Sequence, residues 1–510
     1  MAKRYRYEKR PMILWYGKMY YGAGNLGIAF VSQTMTGFIM FFGTVVCRIP
    51  PFLMGLAFSI GVVWDAVTDP LMGYITDNTR SHLVGKRHGY IVAGTFLVAL
   101  SNVLLWSVPM SADSIQKFLW FLGATILLQT TNTVFSTPYN ALGIDLAGDY
   151  HEQTTLQTYK SIFFLVGTIS PTIIMALLQA NPSSGFTDGR LDPKTYLDMA
   201  YICSTIMLLC GFISYMGTFS HVPRLIKKEH CKRQMVPAAK SLKEIVGEFF
   251  YVLRDRNYSA IILGYAVSMI ASAFLTGVGL YMFTYTFKLT STQMYFLLGA
   301  LFVSIILSQP LWALLSKKLD KKPSLLLGVG ITLAGVAFLF GVFLNLGNVG
   351  GQEELMTLLL PTLAFTGIGI GSLYPLPYSM MADTIAYDSV KKNKDRTAMF
   401  TGFMTFSFKL SQAATLLIIG IMLELIGFKT DTGADVYVPP YSAEVGLGYL
   451  FCVGVAASLI CGMILFSRYG LKKSDIPTHE EVRTPSFEVD RLVSVLEMKE
   501  KNRKKNNVKD

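Results

Sequence analysis

The chain has 510 residues and a formal net charge of +12, yet only 15% of its residues are charged, against about a quarter in ordinary soluble domains. Its apolar and aromatic residues together with 44 Gly reach about 61%, above the 45–50% of a soluble protein, and they gather into runs of about 20. A soluble enzyme, a disordered chain and a secreted disulfide scaffold are excluded.

The basic stretch 1–18 has no short apolar segment ending in a small-residue cleavage site, so it reads as a mature cytoplasmic arm. Twelve predicted spans follow, at roughly 20–45, 51–75, 89–109, 117–142, 157–180, 197–220, 258–285, 293–315, 324–346, 355–381, 398–426 and 443–467. Beyond the last, 487–499 has apolar residues at near-helical spacing (Val489, Leu492, Val493, Leu496), as in a surface-lying tail helix. The six Cys lie mostly in apolar runs without a CxxC pair and read as small buried hydrophobes. The six His have no metal-ligand spacing, and no Walker loop or nucleophile elbow is present, so neither an ATP-driven pump nor a hydrolase is indicated.

With twelve spans both termini share a side, and alternate loops can be compared. One face collects 29 Lys and Arg, from Lys3 to Lys473; the other has six (Arg48, Lys117, Arg190, Lys194, Lys288, Lys429). The positive-inside rule then puts both termini in the cytoplasm of a plasma-membrane protein. Topology accounts for the basic charge, so no nucleic-acid partner is called for. The long polar stretch between spans six and seven divides the chain into a half at 1–220, a middle loop at 221–257, a second half at 258–470 and a tail at 471–510. Pro138-Tyr139, followed by Asp145, and Pro377-Tyr378, followed by Asp383, occupy corresponding places at the ends of spans four and ten, as duplicated halves would leave them.

Ionisable groups inside spans are costly unless they are paired or face water, so each marks a functional candidate. Asp65 and Asp69 lie at i and i+4 in span two, on one helix face, where two like charges need a cation or proton between them. Two carboxylates with hydroxyls such as Thr68 would suit a small monovalent ion; an internal salt bridge to Lys409 is the structural alternative. Lys409 lies near mid-depth in span eleven, too deep to snorkel easily. Lys160 stands near the start of span five, between a snorkelling and a cavity role. Pro70 and the pair Pro375/Pro377 are expected to interrupt their helices.

These residues carry a resemblance. Gly73 to Asp77 followed by Gly85-Lys86-Arg87 resembles the cytoplasmic 2–3 loop motif of the major facilitator superfamily, here lengthened. Trp64-Asp-Ala-Val-Thr-Asp-Pro70, with Pro138-Tyr-Asn-Ala-Leu142 and the Lys409 segment, resembles the glycoside-pentoside-hexuronide:cation symporter family, to which melibiose permease and a vertebrate lysolipid symporter belong. The resemblance implies an all-α membrane fold of twelve helices in two pseudo-symmetric six-helix halves. Asp65 and Asp69 match the pair that holds the coupling cation, Na+ or H+, with Thr68 and Thr133 lining it. Lys409 and Lys160 match basic residues near the cation and solute sites, Lys160 replacing the usual Arg, and Tyr139 and Tyr378 belong to the same substrate and coupling region. Asp77, Arg80, Lys86 and Arg87 fall in the motif that closes the cytoplasmic gate. The permease's sugar-gripping acids fall on Ala29 and Ser136 and its sugar-stacking Trp on Asn140. The expectation is a monomeric, cation-coupled secondary transporter without a cofactor, importing a sugar or glycoside; the alternative is a lysolipid or another amphiphilic or anionic solute.

Overall fold

The computed structural model of the protein describes residues 14–79, 85–146, 150–180, 182–183, 186, 188–222, 254–392, 397–428, 440–471 and 475. Among them twelve helices are long and apolar enough to cross a bilayer: α1 Trp15–Val46, α2 Pro51–Thr76, α3 Gly85–Trp106, α4 Ser114–Gly143, α5 Thr155–Gln179, α6 Pro193–Phe219, α7 Arg256–Thr286, α8 Ser291–Leu319, α9 Lys321–Leu344, α10 Gln352–Asp388, α11 Gly402–Leu425 and α12 Tyr441–Ser467. Each matches one predicted span, most to within five residues at either end, while α10 runs seven residues beyond its predicted end. The middle loop between 222 and 254 and the proposed tail helix lie outside the described residues.

Local chemistry sets the ends of these helices. Pro51 opens α2 at a position whose N–H would be unpaired anyway. Asp192 caps α6 by accepting from Lys194 N–H, Asp255 caps α7 from Asn257 and Tyr258, and Thr290 with Gln293 forms a capping box on α8. The interruption expected near Pro375 is present: α10 breaks into a 3-10 turn over Gly371–Leu373 before restarting at Pro375. Pro70 behaves differently. It lies inside an unbroken helix that continues to Asn78, so its cost is confined to the carbonyl of Ala66, which loses its i+4 donor.

The same packing scheme appears twice. In the first half α1 packs on α5 and α6, α4 on α2 and α3, and α3 on α6; in the second α7 packs on α11 and α12, α10 on α8 and α9, and α9 on α12. Three further pairs, α2 with α11, α5 with α8 and, less extensively, α1 with α7, join the halves. The duplication extends to fine detail, because α1 and α7 both end in a π-helical turn, Phe42–Val46 and Met282–Thr286. Each turn is followed by a basic residue at positive φ, Arg48 (59°) and Lys288 (52°). Ile49 N–H then donates to Gly43 O at 2.9 Å and Leu289 N–H to Phe283 O at 3.0 Å.

The α2–α11 crossing is antiparallel and tightens toward the end of the molecule that carries the 1–2, 5–6 and 7–8 loops, called here the far end. Ser59 Oγ donates to Ala413 O at 2.7 Å. A turn farther along, Gly55 and Gly420 let the backbones touch: a Cβ on Gly55 would lie 2.6 Å from Leu416 O, and one on Gly420 2.5 Å from Pro51 O. Neither carbonyl can move without its helix. Gly55→Ala and Gly420→Ala should therefore each destabilise the protein by about 1–3 kcal/mol, read as a lower thermal midpoint in detergent. Gly123→Ala, where a Cβ meets open space, should show no such loss.

Candidate functional site

At the middle of that crossing Lys409 of α11 meets both acids of α2. Its Nζ lies 2.6 Å from Asp65 Oδ2 and 2.5 Å from Asp69 Oδ2. The i, i+4 spacing aims the two carboxylates at one point, and the ammonium occupies it. The remaining oxygens are also taken. Thr133 Oγ1 of α4 donates to Asp65 Oδ1 at 2.8 Å, and Thr137, one turn further along α4, donates to Asp69 Oδ1 at 3.3 Å. Thr68 completes the cluster, its hydroxyl 3.4 Å from that of Thr133. Asp65 is 6% exposed, so an unpaired carboxylate there would be severely penalised. Here the salt-bridge alternative is the observed one, and the four residues expected to line a cation site (Asp65, Asp69, Thr68, Thr133) are together. Thr137 was missed, although it repeats on α4 the four-residue spacing of the two acids on α2.

A second basic group stands apart. Lys160 Nζ of α5 donates to Asn140 Oδ1 at 2.6 Å and lies 5.7 Å from the centre of the Tyr139 ring. Asn25 Nδ2 fixes the backbone beneath it by donating to Lys160 O at 3.1 Å. Among the described residues no carboxylate pairs with Lys160. Tyr139 itself is 1% exposed and belongs to the core: its ring stacks on Tyr21 at 4.7 Å, and its hydroxyl donates to Tyr21 O at 2.7 Å. Gly24 makes room for that ring. Only its face is left for Lys160. Asn140 is exposed and Ser136 half-buried, whereas Ala29 is buried in the first half.

Tyr378, the counterpart of Tyr139 in the second half, is instead exposed and meets Tyr265 edge-on at 5.5 Å. Tyr265 stacks in turn on Phe408, the neighbour of Lys409, at 5.9 Å. Of the expected gating residues, Arg80 lies outside the described residues, and Asp77 is helical with an undescribed side chain. Lys86 and Arg87 open α3, Arg87 buried, behind Gly85 at a φ of 67°. The second half has a related pair that the sequence reading did not join: Lys321, opening α9, lies 2.5 Å from Asp383 Oδ2 of α10.

The arrangement can hold one cation or proton on two carboxylates, an anionic group near Lys160, and an exchange of partners at Lys409. Comparison with known proteins fits that chemistry. An uncharacterized symporter of Synechocystis sp. is 24% identical, the match covering 91% of this chain and 95% of its own. The sodium-dependent lysophosphatidylcholine symporter 1 of Homo sapiens is 24% identical over 83% of this chain and 77% of its own, and that of Xenopus tropicalis 22% over 91% and 88%. The fold is shared with solved transporters. A bacterial homologue of the human lysosomal transporter Spinster, inward-facing and unoccupied, superposes with a TM-score of 0.62 at 12% identity over 91% of this chain and 99% of its own. The xylose transporter XylE of E. coli, inward open, gives 0.59 at 12% over 90% and 97%. Residues 20–473 match the family described as MFS/sugar transport protein, and the chain is therefore a member of that family, within the major facilitator superfamily.

Proposed function

We propose that the protein is a sodium-coupled symporter of an amphiphile whose headgroup carries an anionic phosphate, of the lysophospholipid class, and that it imports this solute by alternating access of its two halves. The observation that carries the coupling is the Asp65–Asp69–Lys409 centre. Two carboxylates and one ammonium leave a formal charge of −1, which one monovalent cation neutralises. Sodium takes the place of the Lys409 ammonium between the acids, with the hydroxyls of Thr68, Thr133 and Thr137 turning their lone pairs toward it. A proton on either acid is the other occupant this chemistry accepts.

Three features support an anionic amphiphile over a glycoside. On the resemblance to melibiose permease, its two sugar-gripping acids fall on Ala29 and Ser136 and its stacking Trp on Asn140. Lys160, whose described partners are an amide and an aromatic face, offers a positive charge to a headgroup. Several relatives carry a lysophospholipid in their names. The excess of Lys and Arg on alternate loops supports cytoplasmic termini, which makes the far end extracellular.

The solute class is tested with vesicles loaded by a sodium gradient and offered a labelled lysophospholipid or a labelled disaccharide. Gradient-driven accumulation of the lysophospholipid alone is expected; accumulation of the disaccharide alone would return the assignment to a glycoside. Asp69→Asn should abolish the accumulation while leaving measurable solute binding, since coupling and binding are separable free energies. Lys160→Gln should weaken lysophospholipid binding at saturating sodium by about 2–5 kcal/mol, as for truncating one member of a buried charge pair, and should leave the sodium dependence in place. A binding isotherm for wild type and variant reads both.

A further inference from the structure

The two π-helical turns that end α1 and α7 have the same backbone geometry but are held differently. In the first half the turn is tied from within its own half: Lys117 Nζ of α4 donates to Cys47 O at 3.1 Å. In the second half the donor comes from the other half. Arg190, in the 5–6 loop, sends Nη1 to Thr284 Oγ1 at 3.0 Å and to Leu289 O at 3.1 Å.

That guanidinium is held rigidly from behind. Arg190 donates from Nε to Asp188 Oδ1 at 3.1 Å and from Nη2 to Oδ2 at 2.6 Å, a two-toothed grip that leaves Nη1 aimed at the second half. Tyr196 Oη of α6 donates to Arg190 O at 2.9 Å, and Ser291 Oγ of α8 reaches Asp188 Oδ1 at 3.4 Å. Burial raises the Asp188 carboxyl, but hydrogen bonds and charge from Arg190 outweigh it and hold the group below the ordinary carboxylate range, so it stays ionised at neutral pH. The Arg190 side chain is 8% exposed. Beside it the seam continues with Thr44 Oγ1 and Tyr281 Oη sharing a hydrogen bond at 2.6 Å and Tyr295 Oη donating to Gln179 Oε1 at 2.8 Å.

We propose that Arg190, gripped by Asp188, is a latch that keeps the far end of the carrier shut, and that its withdrawal from the Thr284–Leu289 turn is a required step in opening that end. Both acceptors of Nη1 belong to the second half, while the Asp188 grip belongs to the first. Parting the halves breaks the two bonds together and leaves a cation that must find water. Lys117, bonded inside its own half, opposes no such motion.

The test uses the full chain in nanodiscs, where both faces are reachable, with the six native cysteines replaced by serine and Phe38→Cys as reporter. Phe38 is 5% exposed and faces Tyr295 across the seam. Arg190→Gln and Thr284→Val should each raise the rate of labelling by a charged thiol reagent several-fold, and Lys117→Gln should leave it at the parent rate. An unchanged rate in folded Arg190→Gln, or an equal rise in Lys117→Gln, overturns the latch. Should Arg190→Gln fail to fold, Thr284→Val decides, because it removes one acceptor and leaves the Asp188–Arg190 grip intact.

Discussion

One lysine from one half stands between two carboxylates of the other, and the rest of the molecule is arranged around that contact. Lys409 cannot leave Asp65 and Asp69 without exposing three charges in the middle of a membrane protein, where an uncompensated ion costs several kcal/mol. Every movement that parts α2 from α11 at this depth must therefore provide substitutes. A cation can replace the ammonium between the acids, but the ammonium then needs a partner of its own. Nothing about this requires a long-range signal through the fold, because the same side chain belongs to both equilibria.

Helix packing closes tightly on one side of that contact. On its far side α2 and α11 close to backbone contact at Gly55 and Gly420, and the Arg190 fork bridges the halves at the loops. The duplicated packing scheme gives each half the same internal scaffold, including the π turns at the ends of α1 and α7. The duplication fails in two places: Tyr139 is buried in its half while Tyr378 stays exposed, and a cation caps one π turn from within but the other from across the seam.

Much of this was legible in the sequence, for reasons that differ by level. Spans declare themselves because a helix in lipid must be apolar along its whole length. The acidic pair was legible because ionisable residues are rare there and because i, i+4 spacing fixes a shared face. Their pairing with Lys409 could be offered only as one of two possibilities, since no local pattern links residues 340 positions apart. Tyr139 was assigned to the solute region by its place beside Pro138, yet the space left by Gly24 draws its ring into the core. Arg190 gave no signal at all: in a loop near other charges, it becomes distinctive only once folding brings Thr284 and Leu289 to it.

The same electrostatic constraint bears on the solute. A symporter avoids wasting its gradient only if the empty and the fully loaded forms reorient more readily than the form holding a cation alone. In the structure Lys409 is satisfied by the two acids. On the reading proposed above, sodium taking its place would leave the displaced ammonium a buried charge without a partner, a penalty that would hold the half-loaded carrier still. A headgroup bearing a negative charge would remove the penalty if, besides Lys160, it reached the Lys409 ammonium, and reorientation would then be permitted. A neutral glycoside could offer hydroxyl oxygens but no countercharge, so the penalty would be relieved only in part and coupling would leak. On the proposed reading, the coupling rule and a preference for an anionic group on the solute would be two consequences of one lysine with two alternative partners.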